Sequence, residues 1–178
     1  MSPSTRAILR TGLIGGITLG LATAAKRFAS SYAMQTLGLM IVIVGFSFIG
    51  LFAARDGEVT RGRAGLRVGL VSGLIAGFFV ALAYVAVNFI VALEPSQVEL
   101  IRSQFPQQVE AMRTFAPDMA TQSLAQWKAM SKAEQAAIVQ MSFGLGAACF
   151  GIIYPIMGSV LGAMGGAVAP GMFGVNKN

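Results

Sequence analysis

Small residues recur at every fourth position of one apolar segment, at Gly65, Gly69, Gly73, Gly77 and Ala81. On an α-helix this spacing places them in a shallow furrow that advances by about 40° per step. In water, each interior glycine would cost roughly 1 kcal/mol relative to alanine. In lipid, the same furrow lets two helix backbones approach closely, because helix association there depends on dispersion contact. The pattern therefore predicts a membrane protein with tightly packed helices.

The composition agrees with this prediction. The chain has 178 residues, of which 55% are hydrophobic and 11% are charged, whereas soluble domains contain about 25% charged residues. The formal net charge is +6, but the basic residues flank apolar segments and do not form the aromatic-interleaved patch typical of nucleic-acid binding. We therefore expect contact with anionic membrane lipids and no nucleic-acid partner.

The apolar segments predict an all-α fold, a polytopic membrane protein with four transmembrane helices in a single domain over residues 1–178. The predicted spans are about 8–27, 33–54, 65–93 and 132–168. Ser131 and Glu134 have the spacing of a capping box, which predicts the start of the fourth span. The second span lacks regularly spaced small residues, so we expect it to be the helix most exposed to lipid.

Three predicted spans carry glycines at the four-residue spacing, and we predict that these glycines are the helix-packing positions. They are Gly12, Gly16 and Gly20 in the first span, Gly65, Gly69, Gly73 and Gly77 in the third, and Gly158, Gly162 and Gly166 in the fourth. Pro155 in the fourth span cannot donate a backbone hydrogen bond, so we predict a kink there. That kink is either a static bend or a gating hinge.

The segment 94–131, between the third and fourth spans, is polar with scattered large apolar residues. Pro95, Pro106 and Pro117 divide it, and each proline stands where it can begin a helix. The apolar residues recur at spacings of three and four, which predicts short amphipathic helices on the membrane surface or capping the bundle.

The orientation follows from the short connections. Asp56 and Gly57 predict a turn between the second and third spans. Basic residues are concentrated beside this turn and near the N-terminus. The positive-inside rule therefore predicts that both termini are cytoplasmic and that segment 94–131 is extracytoplasmic.

Three polar side chains fall inside predicted spans: Tyr84, Asn88 and Tyr154. A buried asparagine in lipid needs a hydrogen-bond partner, so we expect Asn88 to bond to a neighbouring helix. A substrate or ion contact is the alternative, which leaves open a small channel or transporter with a path near these three residues. The apolar stretches lack the embedded carboxylates that usually couple transport.

Enzyme activity has the least support from the sequence. Histidine is absent and Cys149 is the one cysteine, so histidine-based metal or haem sites and an internal disulfide are excluded. We expect no catalytic residue, no metal site and no cofactor.

The order of these features resembles a known family. A basic start leads into residues 12–16, the second span ends in residues 46–51, and the charged turn 55–58 precedes a glycine-led third span with Tyr84. Over about residues 7–168 the chain is similar to the bacterial membrane family described as domain of unknown function 4199. The resemblance implies a four-span protein of the bacterial inner membrane and carries no functional residues, because the family has no assigned activity.

We therefore expect a non-enzymatic structural or accessory subunit that packs through its glycine furrows. Three furrows offer more close-packing surface than a minimal bundle needs. At least one furrow is then expected to face a second copy, a larger membrane complex, or a tightly held lipid or pigment tail.

Overall fold

The structure is a computed structural model that describes residues 2–27 and 32–173. Within these ranges the elements are α1 (Pro3–Arg27), α2 (Tyr32–Asp56), α3 (Gly62–Leu93), α4 (Pro95–Met112), α5 (Pro117–Ala129) and α6 (Lys132–Met172). No described residue belongs to a β-strand. The predicted all-α fold is confirmed.

Four helices are long and apolar enough to cross a membrane. The qualifying segments are Pro3–Ala25, Leu37–Asp56, Gly62–Val91 and Lys132–Met172. Each of these helices also leaves large apolar side chains more than half exposed, for example Leu21, Met40, Phe89 and Ile152. Soluble monomers rarely expose so much apolar surface. The fold is compatible with a multi-pass membrane protein.

The expectation that α2 is the most lipid-exposed helix is wrong. Of the four apolar segments, the one in α2 has the largest buried share and the one in α6 the smallest. Val42 and Phe46 are completely buried, in one cluster with Leu19 of α1 and Val80 of α3. The packed face of α2 thus combines bulky side chains with the small residues Gly50, Ala53 and Ala54, and a search for small residues at every fourth position does not detect it.

The chain divides into two compact units. The first comprises Met1–Val87 with Ala148–Asn178, and the second comprises Asn88–Ala147. In the first unit, α1 and α2 are antiparallel: Gly15 lies against Ile49, and Gly45 lies against Leu19. This topology is expected for consecutive spans joined by a short connection.

The turn after α2 has the predicted position but an unexpected backbone. The amide of Gly57 donates to the carbonyl oxygen of Ala53, and that of Val59 donates to Ala54, both at 3.0 Å. The left-handed residue is Glu58, with φ of 52°, and not the neighbouring glycine. A side chain in this region costs roughly 1 kcal/mol.

In the second unit, Pro95 and Pro117 begin α4 and α5 as predicted. Pro106 lies inside α4, so the expectation that it begins a helix is wrong. An interior proline costs about 3 kcal/mol. The ring of Phe105, next to the proline, stacks on Trp127 of α5 with the centroids 4.1 Å apart.

A polar network connects the helices of the second unit. Arg102 on α4 donates from Nη1 to Oε1 of Gln135 on α6 at 2.9 Å. Gln135 in turn donates from Nε2 to the carbonyl oxygen of Trp127 at 2.7 Å. Arg102 also donates from Nε to Glu99 at 2.8 Å, and this bond lowers the pKa of the Glu99 carboxyl below its usual value.

The predicted capping box at the start of α6 is confirmed. The amide of Ser131 donates to the Glu134 carboxylate at 2.7 Å, and the amide of Glu134 donates to Oγ of Ser131 at 3.3 Å. These bonds satisfy amides that have no partner within the helix. From there α6 continues through Pro155 and ends at Met172, a few residues beyond the predicted end at 168.

Candidate helix-packing site

Glycines of α3 and α6 meet in direct backbone contact. Three glycines of α3 each face one glycine of α6. A Cβ atom added to either member of a pair would overlap the carbonyl oxygen of the other member. The pairs are Gly65 with Gly166, Gly69 with Gly162, and Gly73 with Gly158. Because the numbers rise on one helix as they fall on the other, the two helices are antiparallel here.

The contact continues by one turn beyond these pairs. A Cβ atom on Gly77 would lie 2.7 Å from the Cα of Pro155 and would overlap the carbonyl of Tyr154. The predicted furrow of α3 therefore faces α6 along four successive glycines. Pro155 takes part in this contact through its backbone.

The glycines of α1 face α3 on a different side. A Cβ atom on Gly16 would lie 2.8 Å from the Cα of Ala76, and one on Gly20 would lie 3.1 Å from the Cβ of Ala83. One on Gly12 would lie 2.9 Å from the carbonyl oxygen of Ser72. Residue numbers increase in the same direction along both helices, so α1 and α3 are parallel.

The α3 side of this contact also contains a buried hydroxyl. Ser72 is completely buried, and its Oγ donates to the carbonyl oxygen of Gly69 at 3.1 Å. A hydroxyl bonded within its own helix needs no partner from another element. Ser72 therefore acts here as a small residue that permits close approach to Gly12.

A third backbone contact, between α2 and α6, was missed by sequence reasoning. A Cβ atom on Gly50 would overlap the carbonyl oxygen of Gly162, and one on Gly165 would overlap that of Ser47. The signal was present as small residues three positions apart on each helix, since spacings of three and four both place residues on one face. Gly162 consequently contacts α2 and α3 at once.

Two of the three predicted polar residues are buried, and Tyr84 is partly buried. Tyr154 and Asn88 are each 3% exposed. In the first unit, the ring centroid of Tyr84 lies 5.5 Å from that of Tyr154 and 5.0 Å from that of Phe150. Phe150 and Tyr154 are 5.7 Å apart. These are ordinary aromatic packing distances, so the three rings fill the space between them.

The described residues offer little for binding a metal. Among residues 2–27 and 32–173 there is no group of three or more His, Cys, Asp or Glu side chains that could hold a metal ion. Cys149 is a free thiol on the exposed surface of α6. Chemically, the close approach of the helix backbones favours association through dispersion contact.

Comparisons with known proteins leave the family open. No family model, no curated protein and no solved structure matches the chain. The resemblance to domain of unknown function 4199 therefore stays a prediction.

Proposed function

We propose that this chain is a non-enzymatic integral membrane protein that serves as a structural or accessory subunit. The observation that carries the proposal is the set of backbone contacts at the glycines. Helices in direct backbone contact form a stiff unit, because the glycines at the contact have no side chains that could rearrange. Such a unit suits a supporting role better than a role that requires an internal site.

The three glycine furrows are filled by helices of the same chain, so the expectation that at least one of them faces a second copy, a larger complex or a lipid is wrong. A partner would use another surface. The best candidate is the outer face of α6, the least buried of the four long helices. Large apolar side chains recur there at every fourth position, and each is more than half exposed. They are Ile152, Ile156, Val160, Met164 and Val168. We propose that a second copy, or a helix of a larger membrane complex, packs on this α6 face.

Cys149 makes a direct test possible, because it lies one turn before this α6 face and is the one cysteine of the chain. Native membranes are treated with a thiol oxidant or a short bis-maleimide and the products are separated by mass. A cross-linked dimer through Cys149 supports self-association. The matched control is Cys149→Ser combined with Leu21→Cys, which moves the thiol to an exposed position on α1.

Gentle extraction from native membranes separates the two forms of the proposal. A heteromeric assembly predicts that other membrane proteins remain attached and that Val160→Trp releases them. A clean monomer with no attached protein and no cross-link would overturn the subunit role.

The alternative is a small channel or transporter with a path near Tyr84, Asn88 and Tyr154. It is less favoured because the rings of Tyr84, Phe150 and Tyr154 pack against one another. Substrate-dependent flux in proteoliposomes that is abolished by Asn88→Leu would reverse this preference.

We place the protein in a bacterial inner membrane, with both termini in the cytoplasm. Helices α4 and α5 then lie as amphipathic helices at the outer surface. The support is the predicted charge asymmetry of the connections. Reporter fusions after residue 178 and within segment 113–116 test this orientation, and activity of a periplasmic reporter at the C-terminus would contradict it.

A further inference from the structure

A groove lies between α1 and α2, at the end where α1 begins and α2 ends. It contains two cavities, of about 400 Å³ and about 300 Å³. Arg10 and Asp56 line both, so the cavities are neighbours along one groove. Every residue of the groove belongs to the first compact unit.

The outer cavity is cationic. Arg6 and Arg10 line it from α1, one helical turn apart, and Asp56 lines it from α2. Both arginines are exposed. Among the described residues, the side chains of Arg6, Arg10 and Asp56 form no hydrogen bond or ion pair. Two guanidinium groups and one carboxylate give the outer cavity a net positive charge. The paired N–H donors of a guanidinium group also match the oxygens of a phosphate.

The inner cavity is largely apolar. Ile14 of α1 and the stacked rings of Phe48 and Phe52 on α2 line it. Beneath them α1 and α2 touch, because a Cβ atom on Gly15 would lie only 2.5 Å from Cγ1 of Ile49. The groove therefore has a closed floor and apolar walls.

We infer that this groove binds an anionic glycerophospholipid. The phosphate lies at Arg6 and Arg10, and an acyl chain follows Ile14, Phe48 and Phe52. From Arg6 to Ile14 the helix rises by about 12 Å, so the cationic outer cavity passes into the apolar wall in the same order as a phospholipid passes from headgroup to chain. A free phosphate would leave the apolar wall uncovered.

This lipid site does not involve the glycine contacts between α3 and α6 or the outer face of α6. It requires only that the protein resides in a membrane. A failed lipid experiment would leave the subunit role intact, and a monomeric protein would leave the lipid site intact.

The experiment is native mass spectrometry of the full chain released from mild detergent. Phosphatidylglycerol, phosphatidylethanolamine and phosphatidylcholine with identical acyl chains compete for the protein. We expect phosphatidylglycerol to be retained about tenfold more strongly, because the other two headgroups carry an ammonium group that offsets the phosphate charge and is repelled by Arg6 and Arg10. Equal retention of the three lipids would overturn the inference.

Variants locate the site. Arg10→Gln is expected to reduce the retention of phosphatidylglycerol about tenfold, whereas Arg63→Gln, an exposed arginine of α3 outside both cavities, should leave it unchanged. Asp56→Asn should increase retention, because it removes a carboxylate that repels the phosphate. Equal losses from Arg10→Gln and Arg63→Gln would indicate general charge attraction and contradict a site.

The apolar wall is tested separately. Phe52→Ala should weaken phosphatidylglycerol binding, and Phe78→Ala, an exposed phenylalanine of α3, should not. Inorganic phosphate at matched ionic strength should fail to displace the lipid. Complete displacement, or an unchanged affinity in Phe52→Ala, would mean that the groove binds phosphate alone and would overturn the lipid assignment. If Arg10→Gln does not fold, Arg6→Gln and Asp56→Asn decide the outcome.

Discussion

Gly50 of α2 lies directly against the carbonyl oxygen of Gly162 on α6. The same carbonyl is approached from α3 by Gly69. One peptide group thus forms the junction of three helices, and its neighbours can approach it only because they lack a Cβ atom. Substitutions at this junction should therefore lower the free energy of unfolding more than substitutions at any glycine that faces open space.

We expect Gly50→Ala to lower the free energy of unfolding by roughly 1–3 kcal/mol, the usual cost of overpacking a close contact. The new methyl group would overlap the Gly162 carbonyl, and backbone atoms can yield only if whole helices separate. Reversible unfolding in mixed micelles measures the change. Gly144→Ala is the matched control, because nothing lies within 4 Å of a Cβ atom built on Gly144. Similar losses in both variants would contradict the three-helix junction.

Glu58→Gly should stabilise the protein. Glu58 is exposed and has φ of 52°, a conformation that glycine adopts at no steric cost, so we expect a gain of roughly 0.5–1 kcal/mol. Unfolding in the same micelle system measures it. Glu58→Ala removes the charge but retains the Cβ atom, and a gain of the same size in that variant would show that charge, not backbone conformation, is responsible.

Removing the amide of Gln135 should loosen the second unit. This side chain accepts from Arg102 and donates to the carbonyl of Trp127, and loss of such bonds costs roughly 1–3 kcal/mol. Hydrogen exchange of Gln135→Ala should accelerate in α5 and at the start of α6, while exchange in α1 stays unchanged. Gln104→Ala, at an exposed position of α4, serves as the control. Equal exchange in the two variants would argue against the network.

The pair of Glu99 and Arg102 predicts a dependence on pH. In the folded protein, the hydrogen bond from Arg102 lowers the pKa of Glu99 below its ordinary value of 4.5. The folded state therefore favours the ionised carboxyl. The stabilisation is therefore present above pH 4.5 and is lost as the pH falls through the lowered pKa. Hydrogen exchange of α4, measured between pH 3 and 6 after correction for the intrinsic rate, should show increased opening at the acidic end.

Glu99→Gln is the control for this pH dependence, since the amide cannot ionise. We expect the variant to lose that part of the acid sensitivity. If the variant and the parent respond identically to pH, the bond to Arg102 has no role in stability.

The sequence predicted the parts of the fold that follow from local patterns. The four-residue spacing of Gly65, Gly69 and Gly73 identified one face of α3, and the spacing of Ser131 and Glu134 identified the start of α6. Both features depend on residues within one helix, so the helical period alone determines them. The partner of each face could not be read in this way, because it depends on helices that meet only in the folded chain.

The errors follow from the same limit. The close approach at Gly50 uses a three-residue spacing with Ser47, which the search for fourfold repeats passed over. Pro106 favours the start of a helix by its local chemistry, but it lies inside α4. The contact at Gly50 depends on a residue of another helix, Gly162, and a local pattern in one helix does not specify such a partner.

The backbone contact between α3 and α6 also restricts how this protein can move. Glycine has no rotamers, so Gly69 and Gly162 cannot adjust to a small displacement by turning a side chain. Sliding of one helix along the other would have to proceed from one glycine to the next, in steps of about 6 Å. We therefore expect motion along this contact to occur in steps and small continuous shifts to be disfavoured.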